Sequence, residues 1–271
     1  MQSVRHRPSL RLTGPTVRFP AACFWLAAWL ASLAPGLGPV DARAQSAALP
    51  QIIGTARPPY INDSDGRGTG PAAELVRLLA ESAGLDPTVR ILPFQRAVLA
   101  LDQGGVLYPA LLRTPQREAK YLWIGEVFTD RAVFMTRRGS PVINTLEAAR
   151  QLGRINVMRG SELQTMLQSF GVTDMEVSNN EIDIARLLRA GRIDGWFAPR
   201  AVARATWAAL DFDPAELQAG EVFATLPFWI TASPDLPGET VAKLRSAYRT
   251  LRNDGRYERI IAPLRKLESN S

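Results

Sequence analysis

From residue 51 onward, short apolar runs alternate with stretches whose apolar positions recur every three or four residues. Short runs bounded by turn residues predict buried strands, and the longer period predicts helices with one face inward. Strands are expected at 51–55, 89–92, 107–112, 133–136, 155–158, 195–198 and 228–232. Helices are expected at 71–83, 95–103, 146–152, 162–170, 183–190 and 200–210. A long one follows, with Val241, Leu244, Tyr248 and Leu251 at helical spacing. Gly84, Gly171 and Gly191 fall just past three of these, where a left-handed closing residue is favoured. Residues 57–70, rich in Pro, Asp and Gly, read as a loop. Strand–helix alternation of this kind argues for α/β layers.

The stretch 107–128, LYPALLRTPQREAKYLWIGEVF, carries the first hint of chemistry. A buried strand ends there at Leu112, and Thr114-Pro115 starts a short helix, with Thr as N-cap and Pro where no N–H is needed. Arg117 therefore falls in the first turn, at the positive end of the helix dipole. A cation there makes sense beside an anion: a guanidinium plus free backbone N–H groups suits a carboxylate or phosphate. The alternative is a surface Arg, solvated or paired with Glu118.

Residues 1–44 read as a secretory leader rather than part of the fold. Arg5, Arg7, Arg11 and Arg18 precede an apolar run over 21–37, and Ala42-Arg43-Ala44 fits a cleavage site. The run is short for a membrane span and is broken by Pro35, Gly36 and Pro39. Cys23 lies inside the run, which argues against a lipoprotein signal. The leader changes the charge argument. The chain carries formal charge +6, but the leader's five Arg and one Asp hold most of it. A nucleic-acid partner loses its support. The only Cys and the only His, Cys23 and His6, also lie in the leader. The remaining 227 residues thus exclude disulfides, any Ser/His/Asp triad and any Cys or His metal site, and call for no metal and no cofactor.

Seven motifs in order resemble the periplasmic solute-binding proteins of type 2 fold, the receptors of amino-acid ABC transporters. They are G-T-A-R-P-P-Y (54–60), T-G-P-A-A-E-L (69–75), L-P-F-Q-R-A (92–97), R-T-P-Q-R-E (113–118), V-M-R-G-S (157–161), A-G-R-I-D-G-W (190–196) and N-D-G-R-Y (253–257). The resemblance implies an α/β fold of two lobes, two mixed sheets flanked by helices, with a ligand cleft between. Crossings are expected near 136–140 and 225–228. Lobe 1 would then comprise 45–137 and 228–271, and lobe 2 would be 138–227. It also implies a monomer in the periplasm, a small-molecule ligand, and a membrane permease of an ABC transporter as partner.

Six residues are candidates for the site. Arg117 matches the family's ligand-carboxylate Arg. Tyr60 matches a position where an aromatic ring often lies on the ligand; otherwise it packs on the lobe. Phe94 could stack on a ligand or fill core. Arg113, four residues before Arg117, could add a second cation or pair with a nearby carboxylate. Arg159 and Ser161 precede a helix, where Ser161 can cap it or donate to an anion. Asp194 is expected to be structural, and Trp196 and Trp229 to be packing residues. The departures from the family are informative. The acidic residue that binds the ligand ammonium is expected five positions after Asp194, and that position is Pro199. Small hydroxyl residues before the Arg motif are replaced by Ala110 and Leu112. The expected ligand is a small organic anion, or an amino acid bound in an unusual way. Two alternatives stand beside transport. One is a sensor reporting to a membrane protein. The other is a dehydratase-like enzyme, for which Glu126, Glu162 and Glu181 are the cleft carboxylates available.

Overall fold

In a computed structural model of the chain, residues 49–269 are described. The leader expected at 1–44 lies outside them. The chain opens with strand β1 (Gln51–Gly54) and a hairpin of β2 (Asn62–Ser64) and β3 (Arg67–Thr69). The hairpin occupies the stretch read as loop. Its register pairs Asn62 with Thr69, and its turn places Asp65 and Gly66 at positive φ. Polar residues on an exposed edge give no apolar alternation to read.

Helix α1 (Pro71–Ala83) runs as expected and closes on Gly84 at φ 73°. Strand β4 (Val89–Ile91), α2 (Phe94–Gln103) and β5 (Val106–Leu112) follow. A single 3-10 turn, Pro115–Arg117, leads into β6 (Leu122–Arg137). Next come α3 (Leu146–Leu152), β7 (Ile155–Met158), α4 (Glu162–Ser169), β8 (Glu176–Ser178), α5 (Glu181–Arg189), β9 (Gly195–Pro199) and α6 (Arg200–Ala209). The chain finishes with β10 (Leu217–Ala232), α7 (Gly238–Asn253) and α8 (Arg256–Ser269). Side-chain caps fix three helix starts, since Thr145, Ser161 and Asn180 each accept from a backbone N–H three residues on.

The family resemblance implies two mixed sheets. Hydrogen bonding instead runs through one sheet of ten strands, ordered β2-β3-β4-β1-β5-β10-β6-β9-β7-β8. The link is the pair β6 and β10, each 16 residues long. Only the apolar ends of these strands, at 133–136 and 228–232, are legible as strands from the sequence. Beyond Phe228, β10 pairs with β5, and from Ala132 onward β6 pairs with β9. Between those points Thr129–Arg131 and Thr225–Pro227 pair with each other, and the Arg113 N–H still reaches the Pro227 carbonyl at 2.9 Å. This two-stranded ribbon is the narrowest part of the sheet, and from Ala132 to Met135 β6 is already bonded to β9.

The ribbon is tied by a buried polar knot. Asp130 is fully buried and accepts from the Tyr60 hydroxyl and from the backbone N–H groups of Arg131 and Ala201. Ala201 lies in the first turn of α6, so the carboxylate also meets that helix's positive end. Arg131 pairs with Glu268 near the end of α8. Burial, reinforced by Glu268, pushes the Asp130 carboxyl up to about 8.

Candidate functional site

The site is built where the ends of β1 and β5 face the start of α4. After β5 the chain turns through Thr114-Pro115, which presents Arg117 beneath the strand end. One Arg117 nitrogen donates to the Leu112 carbonyl at 3.2 Å. Another lies 2.6 Å from Glu162, the first residue of α4. The pair is half-buried, with side-chain exposures of 15% and 33%. A guanidinium of the first lobe thus grips a carboxylate of the second, across the space where a ligand carboxylate is expected. The lobes leave about 20 Å³ here, room for about one water, so a solute enters only when they part.

The same pocket is lined by Arg57, Phe94, Tyr108, Ala110, Ser161 and Phe228 among others. Three of the six expected site residues, Arg117, Phe94 and Ser161, come together in it. Ser161 is buried; its hydroxyl donates to the Met158 carbonyl at 2.7 Å and accepts from the Gln164 N–H. The other three lie elsewhere. Tyr60 is fully buried behind the pocket, its ring centroid 4.8 Å from that of Phe228 and its hydroxyl on Asp130. Arg113 makes a two-pronged bond to Glu118 at 2.8 and 2.5 Å and stacks 4.4 Å over Trp229. Arg159 is exposed and donates to Asn179 at 3.0 Å. Asp194 accepts a similar fork from Arg154, a loop-holding role.

Two residues gain roles that the sequence did not assign to them. Arg57 enters the pocket with its guanidinium carbon 5.7 Å from the Phe94 ring and 5.8 Å from the Phe228 ring. The turn explains why. Tyr60 and Ile61 both donate to the Arg57 carbonyl, and the Arg57 N–H donates to Ile61. The chain reverses over Pro58-Pro59, which carries Tyr60 into the core and leaves Arg57 on the cleft side. The G-T-A-R-P-P-Y motif held the signal, but its aromatic residue drew attention from its cation. Glu162 is the second. The sequence offers it as a cleft carboxylate for a dehydratase-like reaction; the fold pairs it with Arg117 instead.

Two further groups shape the electrostatics. The Tyr108 hydroxyl is buried without a hydrogen-bond partner, and burial pushes it up to about 12 against the pull of Arg57 and Arg117. Burial likewise pushes the Glu181 carboxyl up to about 7, opposed by Arg57 and by the Trp196 indole N–H at 3.1 Å. A larger cavity, about 580 Å³, lies beside α6 between Arg138, Arg200, Arg204 and Trp207. It shares none of the motif residues that meet at Arg117. Among the described residues no group of three or more His, Cys, Asp or Glu could hold a metal ion. No described helix is long and apolar enough to cross a membrane.

Comparison with known proteins agrees with this architecture. A histidine kinase sensor domain with similarity to periplasmic binding proteins shares 23% identity at a TM-score of 0.69, covering 79% of this chain and 94% of that one. The arginine-, lysine-, histidine-binding protein ArtJ of Geobacillus stearothermophilus shares 20% at 0.66, covering 78% and 93%. The Streptococcus pneumoniae amino acid ABC transporter substrate-binding protein AbpA, bound to L-arginine, shares 14% at 0.67, covering 82% and 96%. At these identities the likeness shows the fold, a two-lobed α/β binding-protein fold. No curated protein matches the sequence. A family profile does match, over residues 52–263, and the chain belongs to the bacterial extracellular solute-binding proteins, family 3.

Proposed function

We propose that the protein captures a small carboxylate-bearing solute, an amino acid or related organic anion, in the cleft between its lobes. It does so in the periplasm, after removal of the leader, and delivers the solute to the permease of an ABC transporter. The observation that carries this reading is the Arg117–Glu162 pair. A guanidinium fixed by the Leu112 carbonyl and turned to the facing lobe is poised for a carboxylate. A ligand carboxylate takes the place of Glu162 as the lobes close around it.

A thermal-melt screen of the purified protein against amino acids, di- and tricarboxylates and aromatic acids tests the reading. A ligand selective for the folded state raises the melting temperature, by about 2.7 kcal/mol of stability at 100 times its Kd. Arg117→Ala is expected to abolish the shift. Recovery of the ligand unchanged after incubation separates binding from a dehydratase-like activity. A second reading, solute sensing for a membrane protein, draws support from the sensor domain of similar fold. Loss of ligand uptake on gene deletion favours transport; intact uptake with a lost transcriptional response favours sensing.

A further inference from the structure

A carboxylate held by Arg117 accounts for one side of the cleft and leaves the other side unexplained. Arg57 is a cation of the same pocket, and among the described residues its guanidinium makes no ion pair or hydrogen bond; only the rings of Phe94 and Phe228 flank it. The Tyr108 hydroxyl, fully buried in the pocket wall, is also without a partner. Tyr108, Arg57 and Arg117 line the same pocket. Buried donors without acceptors are costly, and a guanidinium enclosed as the lobes close is costlier still. Both costs are removed by one ligand atom group that accepts from Tyr108 and Arg57 together.

The position where the resemblance expects an ammonium partner offers it no side chain, and Glu162, the one carboxylate in the pocket lining, is held by Arg117. Position 199 is Pro, and the nearest carboxylate at the start of α6, Asp130, is already used by Tyr60 and two backbone N–H groups. Apart from Ser161 and Glu162 the rest of the lining is apolar, with Ala110, Leu112 and Leu163 beside the rings. That surface suits a carbon chain rather than further polar groups.

We propose that the cleft recognises a dianion, a small dicarboxylate without an amine, with one carboxylate on Arg117 and the other on Arg57 and the Tyr108 hydroxyl. The proposal rests on the carboxylate reading of Arg117 and names its substrate class. Glu162 leaves Arg117 when the first carboxylate arrives, so the ligand brings the charge that the two guanidinium groups share.

The test is calorimetric titration of the protein with succinate, glutarate and phthalate, against butyrate, benzoate, glutamate and inorganic phosphate. At least one dicarboxylate is expected to bind about tenfold or more tighter than its monocarboxylate partner, the scale of one charge-assisted contact. Arg57→Met is expected to erase that preference while leaving monocarboxylate binding in place. Tyr108→Phe is expected to weaken dicarboxylates several-fold at an unchanged melting temperature. Should Arg57→Met fold poorly, Arg57→Gln serves, with circular dichroism confirming the fold. Equal affinity for mono- and dicarboxylates, an unchanged preference in Arg57→Met, binding of phosphate or an amino acid alone, or no binding of any dicarboxylate overturns the proposal. If Arg117→Ala still abolishes carboxylate binding in those cases, the carboxylate reading survives and only the dianion fails.

Discussion

At the scale of single residues, Arg117 illustrates what a sequence discloses and what it hides. Its position after Thr114-Pro115 marked it as a cation in an unusual place, and the fold gives it a carboxylate across the cleft. Its partner Glu162 was legible as a cleft carboxylate, but the pairing was not, because the two are far apart in the chain. Arg57 was hidden for another reason: a turn decides which of two neighbouring side chains faces the cleft, and hydrogen bonds of the turn, not residue type, settle it. The acid groups give a pH prediction. Glu181 is raised from 4.5 to about 7 by burial, so its contribution to stability is full below 4.5 and is lost as pH rises through about 7. Deprotonation also adds negative charge beside Arg57. Carboxylate affinity is therefore expected to fall as pH rises through about 7, and Glu181→Gln to flatten the profile, read by titration at a series of pH values.

At the scale of elements, the helices were read well and the long strands poorly. Helix α1 announced itself by period, by Pro71 at its start and by Gly84 at its end. Strands β6 and β10 pass from a core-facing stretch through a ribbon where buried Asp130 and Leu226 alternate with exposed or half-buried neighbours, and back into a core, so their apolar pattern is broken even though their hydrogen bonding is not. Contacts of β6 are nonetheless specific. A Cβ on Gly125 would lie 2.4 Å from the Tyr248 ring of α7, whose hydroxyl donates to the Glu126 carbonyl at 2.8 Å. Gly125→Ala is expected to cost about 1–3 kcal/mol in denaturant unfolding, because the ring must move off the strand. Asn180 caps α5 by accepting from Asp183 N–H at 2.8 Å. Asn180→Ala is expected to cost about 1 kcal/mol, measured the same way.

At the scale of the molecule, one sheet narrows to a ribbon only two strands wide, and several interactions bridge its two sides. One is the knot of Tyr60, Asp130 and the start of α6, at the ribbon itself. Another joins Arg204 of α6 to the Leu267 carbonyl of α8 at 2.7 Å. A third is Arg117 with Glu162. A narrow ribbon permits hinge motion, and the ion pair opposes it. Glu162→Gln is expected to enlarge the radius of gyration of the ligand-free protein in solution scattering. It is also expected to strengthen carboxylate binding about threefold, since the internal competitor loses its charge. The family and its fold were legible from seven short motifs. The continuity of the sheet was not, because it depends on pairing between segments some ninety residues apart, such as Asp130 with Leu226.

The most direct measurement is the thermal-melt screen run on the wild-type protein and Arg117→Ala side by side. The structure predicts that at least one small carboxylate raises the melting temperature of the wild type, and that the shift disappears in the variant while its ligand-free melting temperature stays close to the parent's. An equal shift in both proteins would mean that the ligand carboxylate sits elsewhere, and would remove Arg117 from the centre of the site.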